Sequence, residues 1–284
     1  MAFPYKTVLM VGCTAGLGLA MAERMIEHGS FIIGVGRRQD RLDAFVAKHG
    51  ADRAAASRFD ITDLDAIPAW AEGIIKAHPT LDCVILNSGI QRALDFASPA
   101  SIDLSLVQLE INTNYTSYIS LIKHLLPQLQ SRAPDPAALV AVSSGLALVP
   151  IPRCANYCAT KAALHSLMWS LRAQLAYDVR SRHVRVVEVI PPAVRTELHE
   201  LQADLRAKGD TDFGLTIGEF MDGTAEGAGD GCWEGLVRGD EEIPVGPVKK
   251  GFGALEDARR GRFEGMVTAM MGQGAPYSSG GSAK

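Results

Sequence analysis

The amino-acid sequence predicts an α/β fold: a single doubly wound parallel sheet with helices on both faces and an irregular C-terminal cover. Short apolar, β-rich runs recur at 7–12, 31–36, 54–59, 81–87, 137–143 and 184–190, with helical segments between them. Strands alternating with helices imply a parallel sheet. The first run leads into a three-glycine loop and an amphipathic helix, the layout that sets backbone N–H groups and a helix N-terminus against a pyrophosphate. Most of the other candidate site residues sit at or just after strand ends, the carboxyl edge where open α/β sheets bind ligands; Tyr157 and Lys161 open a helix.

The first strand, Thr7-Val8-Leu9-Met10-Val11, is followed by Gly12-Cys-Thr-Ala-Gly16-Leu-Gly18 and a helix that ends at Gly29. In a dinucleotide loop Gly12 makes the tight turn, Gly16 lets backbone approach phosphate and Gly18 permits close helix–sheet packing. The spacing is G-x-x-x-G-x-G rather than G-x-G-x-x-G. The second strand ends in Gly36-Arg37-Arg38, before a helix over Asp40–His49. An NAD site usually places an acidic residue there for the ribose 2′-hydroxyl; two guanidinium groups suit a 2′-phosphate instead. NADP(H) is therefore expected over NAD(H).

Long apolar segments at Leu104–Leu129 and Tyr157–Tyr177 predict helices, one face of each covering the sheet. The strand at 137–143 ends in Ser144, thirteen residues before Tyr157. In Tyr157-Cys-Ala-Thr-Lys161 the Tyr and Lys are i and i+4, on one helix face. An ammonium beside a phenol is expected to draw the Tyr pKa down from about 10 toward working pH. Such a phenol gives a proton to a carbonyl oxygen or takes one from an alcohol, and a Ser hydroxyl nearby hydrogen-bonds the same oxygen. Alone, Tyr-x-x-x-Lys is a weak motif that chance supplies; its place after a strand ending in Ser gives it force.

Taken together these residues resemble the short-chain dehydrogenase/reductase family over residues 5 to about 200. Gly12, Gly16 and Gly18 match its cofactor loop, with Val11 where the family usually has Thr. Asp60 matches its adenine-contacting Asp, and Asn87-Ser-Gly89 its Asn-Asn-Ala-Gly segment with two substitutions. Asn114, Ser144, Tyr157 and Lys161 match its catalytic positions, Asn114 supporting the active-site Lys through water. Ile190-Pro-Pro-Ala-Val-Arg-Thr196 resembles the segment that flanks the nicotinamide, with Pro192 in place of Gly. The resemblance implies cofactor contacts at Gly12, Thr14, Gly16, Leu17, Gly18, Arg37, Arg38, Asp60, Ile61, Asn87, Gly89, Tyr157, Lys161, Pro191, Val194 and Thr196. It implies an NADP-dependent carbonyl reductase, reversible as an alcohol dehydrogenase, and a homodimer or homotetramer. The departures at Val11, Ser88 and Pro192 keep two alternatives open: an NADP(H)-binding protein with a sensory or structural role, and non-redox chemistry such as dehydration or cyclisation.

A net charge of −4 gives no sign of nucleic-acid affinity, and no apolar run approaches the ~20 residues a membrane helix requires. The glycine loop lies within a dozen residues of Met1, leaving no room for a signal peptide, and five cysteines without a paired framework argue for a reducing compartment; the expected location is the cytoplasm. Cys154 and Cys158 lack two further ligands at metal spacing, so no metal is expected. The whole chain, 1–284, is expected to form one domain. Within it, 197–253 is expected to be a loop-rich cover or lid, with twelve glycines between 209 and 253, and the small polar tail 278–284 disordered. Removing residues 225–232 would bring Phe220, Met221, Trp233, Leu236 and Val237 onto one helical stripe. An eight-residue insertion splitting a helix near the substrate mouth is therefore expected. Residues 241–246 would supply a last edge strand, limited by Pro244. The substrate pocket is expected from 91–98, 145–154 and 194–238, a mainly apolar lining for a mainly apolar small molecule.

Overall fold

A computed structural model describes residues 3–209, 211–223 and 231–271. Its sheet has seven strands, all parallel, in the order β3-β2-β1-β4-β5-β6-β7: β1 (Thr7–Val11), β2 (Phe31–Gly36), β3 (Ala54–Arg58), β4 (Cys83–Leu86), β5 (Ala137–Val142), β6 (Val184–Ile190) and β7 (Glu242–Pro244). The six strands expected from apolar runs are present to within two residues at each end, and the edge strand before Val245 is there too. The β1 side chains alternate as a pleated strand requires. Val8 and Met10 enter one core cluster and Leu9 and Val11 the other, so the sheet is packed on both faces. The switch in strand order lies between β1 and β4, where a crevice opens at the carboxyl edge.

The helices are α1 (Gly16–Glu27), α2 (Gln39–His49), α3 (Ile67–Ala77), α4 (Leu104–Ile111), α5 (Ser117–Gln130), α6 (Ala155–Tyr177), α7 (Glu197–Glu200), α8 (Ala203–Lys208), α9 (Ile217–Asp222), α10 (Cys232–Arg238) and α11 (Pro247–Met271). The single helix expected at 104–129 is interrupted: a wide π turn over Asn112–Thr116 separates α4 from α5. Hydroxyls back-bond there, from Thr113 to the Leu109 carbonyl at 2.7 Å and from Ser117 to the Thr113 carbonyl at 3.0 Å. Such bonds compete with the regular ladder, and π bulges often mark functional positions; this one carries Asn114.

The C-terminal cover is mainly helical. The glycines of 209–253 predict loop, yet Gly251 and Gly253 lie inside α11, which also holds Gly261 and Gly265. Tertiary contacts hold it: Glu256 is buried, and Phe263, Arg259 and Arg260 gather around the Trp169 ring at 5.2–5.4 Å. The region 197–253 thus runs into the start of a 25-residue helix. α9 and α10 are separate helices, and Phe220, Met221, Trp233 and Leu236 do share one core cluster. That cluster packs against α1, and none of residues 217–223 or 231–238 lines the cavity at the carboxyl edge of the sheet. The expectation that they form the substrate mouth is corrected: an apolar stripe of that width is taken by the sheet. Residues 225–230 of the expected insertion and the tail 278–284 lie outside the described residues. No helix among the described residues is long and apolar enough to cross a membrane.

Candidate active site

A cavity of about 670 Å³ runs along the carboxyl edge of the sheet. It gathers Gly12, Thr14, Gly16 and Leu17 after β1, Arg37 and Arg38 after β2, and Asp60 and Ile61 after β3. Asn87 and Gly89 follow β4, Ser144 follows β5, and Pro191, Val194 and Thr196 follow β6. Tyr157 and Lys161 reach it from α6. Of the residues expected from sequence, only Gly18 and Asn114 do not line it, and both stand directly behind its wall.

The glycine loop is shaped by close approach. Gly12 has φ +91°, and a Cβ there would lie 2.8 Å from the Ser88 nitrogen. A Cβ on Gly18 would lie 2.1 Å from the Gly12 carbonyl oxygen, so α1 packs against the loop only because residue 18 has none. Asn87 Nδ2 donates to that carbonyl at 3.1 Å, tying the β4 loop to the glycine turn. No side chain caps α1 and no acidic residue stands in its first turn. Its N–H groups and positive dipole end are therefore left for an anion. Arg38 donates to Thr14 Oγ1 through Nε at 3.2 Å and Nη2 at 2.8 Å. Arg37 stands 3.6 Å from Asp60, and both are exposed. Asp60 also accepts from the Thr62 N–H and hydroxyl, so it caps its own turn. The donor set (helix end, bare glycine backbone and guanidiniums at one rim) fits the phosphates of a dinucleotide.

At the other end Ser144 and Tyr157 face the same cavity, the Ser144 Oγ accepts from the Leu146 N–H at 3.1 Å, and the Lys161 ammonium lies 5.7 Å from the Tyr157 ring centre. Lys161 Nζ donates to the Val142 carbonyl at 2.8 Å. Burial disfavours its charged form and pushes its pKa down to about 8, opposed by the Glu188 carboxylate. The phenol stands otherwise than expected. Burial pushes Tyr157 well above its ordinary value, the Ser144 hydroxyl pulls the other way, and Cys154, Cys158 and Glu110 add to the rise. Lys161 does not offset that burial, because burial also brings its own pKa down to about 8, so the amine is neutral before the phenol would ionise. Tyr157 is accordingly a neutral, protonated acid. Asn114 is fully buried and holds the Ile90 backbone from both sides, Oδ1 accepting from the N–H and Nδ2 donating to the carbonyl, each at 2.9 Å. Its side chain is thereby committed to the loop that carries Gly89 past Lys161.

Sequence reasoning missed the polar corner of the cavity. Arg153 Nη2 and Gln202 Nε2 both donate to Gln91 Oε1, at 3.0 and 2.8 Å, and Arg153 also pairs with Asp204 at 2.8 Å. His199 joins them beside Phe213, its pKa lowered by burial and by Arg153. Gln91 lies 62 residues from Arg153 and 111 from Gln202, so no local motif announces their meeting. Glu197 and Arg41 were missed as well. The signal was weak but present: Glu197 directly follows Thr196, and Arg41 lies one helical turn beyond Arg38.

The family model for short chain dehydrogenases matches residues 6–206. The chain is 36% identical over 226 residues to the uncharacterized oxidoreductase DltE of Bacillus subtilis, covering 78% of this chain and 85% of that one. It is 32% identical to the serine 3-dehydrogenase of Rhizobium radiobacter, over 67% and 73% of the two chains. Among solved structures, a short chain dehydrogenase of Burkholderia cenocepacia in complex with NADP superposes with a TM-score of 0.68 at 23% identity, covering 94% of this chain and 99% of that one. A 3-ketoacyl-(acyl-carrier-protein) reductase of Brucella melitensis complexed with NADH gives 0.66 at 23% identity, over 76% and 87%. At that identity these two speak for the fold alone. The chain belongs to the short-chain dehydrogenase family of oxidoreductases.

Proposed function

We propose, with membership of the short-chain dehydrogenase family as the premise, that this protein is an NADP(H)-dependent oxidoreductase. It reduces a carbonyl of a small, mainly apolar molecule to an alcohol, or runs the reverse reaction. The single observation that carries the reading is the meeting of Ser144, Tyr157 and Lys161 in the same cavity as the glycine loop and Arg38. Gly12, Gly16 and the open end of α1 would hold the pyrophosphate, and Arg37 and Arg38 the 2′-phosphate. The two guanidinium groups at the adenosine rim, with no acidic residue directly after β2, support NADP(H) over NAD(H). The dinucleotide supplies a hydride when bound.

The chain's own residues do the rest. Tyr157, buried and protonated, donates its phenolic proton to the carbonyl oxygen. Ser144 hydrogen-bonds the same oxygen; a hydrogen bond of this kind lowers a barrier by about 3 kcal/mol. Lys161, charged below a pH of about 8, places a positive charge beside the phenol and stabilises the phenolate left behind. Asn114 fixes the Gly89 loop against Lys161. Leu146, Ile151, Leu198, Leu201 and Phe213 supply the apolar walls at this end. The corner made by Gln91, Arg153 and Gln202, where Gln202 Oε1 is buried without a hydrogen-bond partner among the described residues, supports a substrate with one polar, hydrogen-donating end. The protein is expected to act in the cytoplasm as a homodimer or homotetramer.

Titration with NADPH and NADH, followed by nicotinamide fluorescence, tests the reading, with ketones, quinones and imines added afterwards. Tight NADPH binding and oxidation by some member of the panel is the expected result. Tight binding with no oxidation by any member shifts the weight to a sensory or non-redox role, and no binding at all defeats the assignment.

A further inference from the structure

Arg38, one of the two guanidinium groups expected to take a 2′-phosphate, already holds an anion from this chain, together with Arg41 one helical turn on. Arg38 Nη1 donates to Glu197 Oε2 at 2.6 Å, and Arg41 Nη1 donates to Glu197 Oε1. Glu197 opens α7, directly after Thr196, so the carboxylate comes from the substrate side of the cavity and closes a bridge of 159 residues back to Arg38. Thr14 is the third member: its hydroxyl accepts from Arg38, and its carbonyl accepts from Arg41 Nη1 at 3.3 Å. Gly36 lets this happen, since a Cβ there would lie 2.5 Å from the Thr14 methyl. Glu197, Arg38 and Thr14 all line the cavity, and each side chain of the bridge is between about a third and two-fifths exposed. Burial alone would raise the Glu197 carboxyl, but the hydrogen bonds from Arg38 and then Arg41 outweigh it and hold the group below its usual range. The bridge is therefore charged at neutral pH.

We propose that Glu197 is an internal competitor of the cofactor's 2′-phosphate for Arg38 and Arg41, and so a residue that sets cofactor preference; this rests on the NADP(H) reading above. A carboxylate and a phosphate each offer a guanidinium two oxygens for its forked donors. The same donors cannot serve both fully. A dinucleotide with a 2′-phosphate must displace Glu197, whereas one with a 2′-hydroxyl leaves the bridge in place. Glu197 thus narrows the advantage that the arginines confer on NADP(H). The exchange also has a structural consequence: once the phosphate holds the arginines, α7 loses its tie to the cofactor rim. Leu198, His199 and Leu201, which line the substrate end, are on or next to that short helix. Phosphate recognition at one end of the cavity is thereby linked to the freedom of the wall at the other.

The test separates phosphate from nicotinamide by using fragments. Adenosine 2′,5′-bisphosphate and 5′-AMP are titrated calorimetrically into the full chain and into Glu197→Gln. The expected result is that the variant binds the bisphosphate about three- to tenfold more tightly, as loss of a half-exposed ion pair allows, with 5′-AMP unchanged. In an Arg38→Ala/Arg41→Ala background the same substitution should gain nothing. Amide exchange in α7 should quicken with the bisphosphate and not with 5′-AMP. Weaker bisphosphate binding by Glu197→Gln would make Glu197 a positioning residue for the arginines and overturn the proposal, as would an equal change for both ligands or none. Glu197→Asp, which keeps the charge on a shorter stem, serves if the amide variant fails to fold. A wild-type chain that does not prefer the bisphosphate over 5′-AMP defeats the NADP(H) reading and the proposal with it. A wild-type preference that Glu197→Gln leaves untouched defeats the proposal alone.

Discussion

Helix α6 carries two buried polar clusters on one face, a turn apart, and only one of them opens onto a cavity. Tyr157 and Lys161 point to the carboxyl edge of the sheet. One turn on, His165 is 1% exposed and sits between two carboxylates, Nδ1 2.9 Å from Glu188 on β6 and Nε2 3.3 Å from Glu256 on α11. Glu242 completes a group whose atoms lie within 4.8 Å of His165 and Glu188, the spacing of a metal site. The neighbours decide against that use: Arg172, Arg259 and Arg260 all pair with these carboxylates, so the negative charge is already met by cations of the chain. The same i, i+4 geometry thus makes the proposed reactive site where a wall is missing and a structural staple where α11 supplies one. Tyr157→Phe breaks the first without touching the second. Turnover should fall by about a thousandfold, the scale of a lost general acid, while NADPH affinity and the melting temperature hold. An unchanged rate would remove Tyr157 from the role of acid.

Glu188→Ala is the complementary experiment. It leaves His165 beside one carboxylate and strips Lys161 of its buried counter-charge. Removing one partner of a buried pair typically costs about 3–5 kcal/mol, and for a chain of this size that is a melting point lower by roughly 6–12 °C. A melting point that does not move would mean the cluster is not a staple. Glu188 also faces both clusters, which makes the boundary between them testable by pH. Burial lowers the Lys161 pKa to about 8, and Glu188 opposes it. The rate of carbonyl reduction should therefore fall as pH climbs past about 8, where the ammonium is lost. In Glu188→Gln burial acts unopposed, so the alkaline limb should move to lower pH in kcat/KM. A limb that stays in place would separate Glu188 from the reaction and make the clusters independent.

The two clusters also differ in how far the sequence announced them. Ser144, Tyr157, Lys161 and the glycines were legible because each belongs to a local pattern at a strand end or helix start. Backbone conformation there is the function, as Gly12 and Gly18 illustrate. His165, Glu188 and Glu256 come from a helix, a strand and the C-terminal helix, up to 91 residues apart, and no spacing rule connects them. α11 was illegible for a related reason. Its glycines argue against a helix, and what stabilises it is packing against Trp169, a contact absent from any local window. The π turn at Asn114 was hidden inside a helical pattern because a one-residue widening barely disturbs the periodicity. The polar corner at Gln91, Arg153 and Gln202 fails the same way as the His165 cluster: its members meet only after the chain has folded. The expected effect of Lys161 on Tyr157 erred differently, since spacing places two side chains on one face but does not say how deeply both are buried.

The smallest effect tests where the sealed cluster ends. Arg259 pairs with Glu256 and lies 5.2 Å from the Trp169 ring, yet its side chain is 52% exposed, while Glu256 is 1% exposed. An ion pair with one end in water contributes about 0.2–1 kcal/mol, and a solvated cation against a ring a similar amount. Arg259→Ala should therefore lower the melting point by only about 1–3 °C. His165 still faces Glu256 from inside, and Arg172 and Arg260 still meet Glu242, so the buried charges keep their partners. A loss as large as that of Glu188→Ala would show that the seal includes its outermost residue. The distinction between an enclosed staple and an open site would then rest on Arg259 rather than on α11 as a whole.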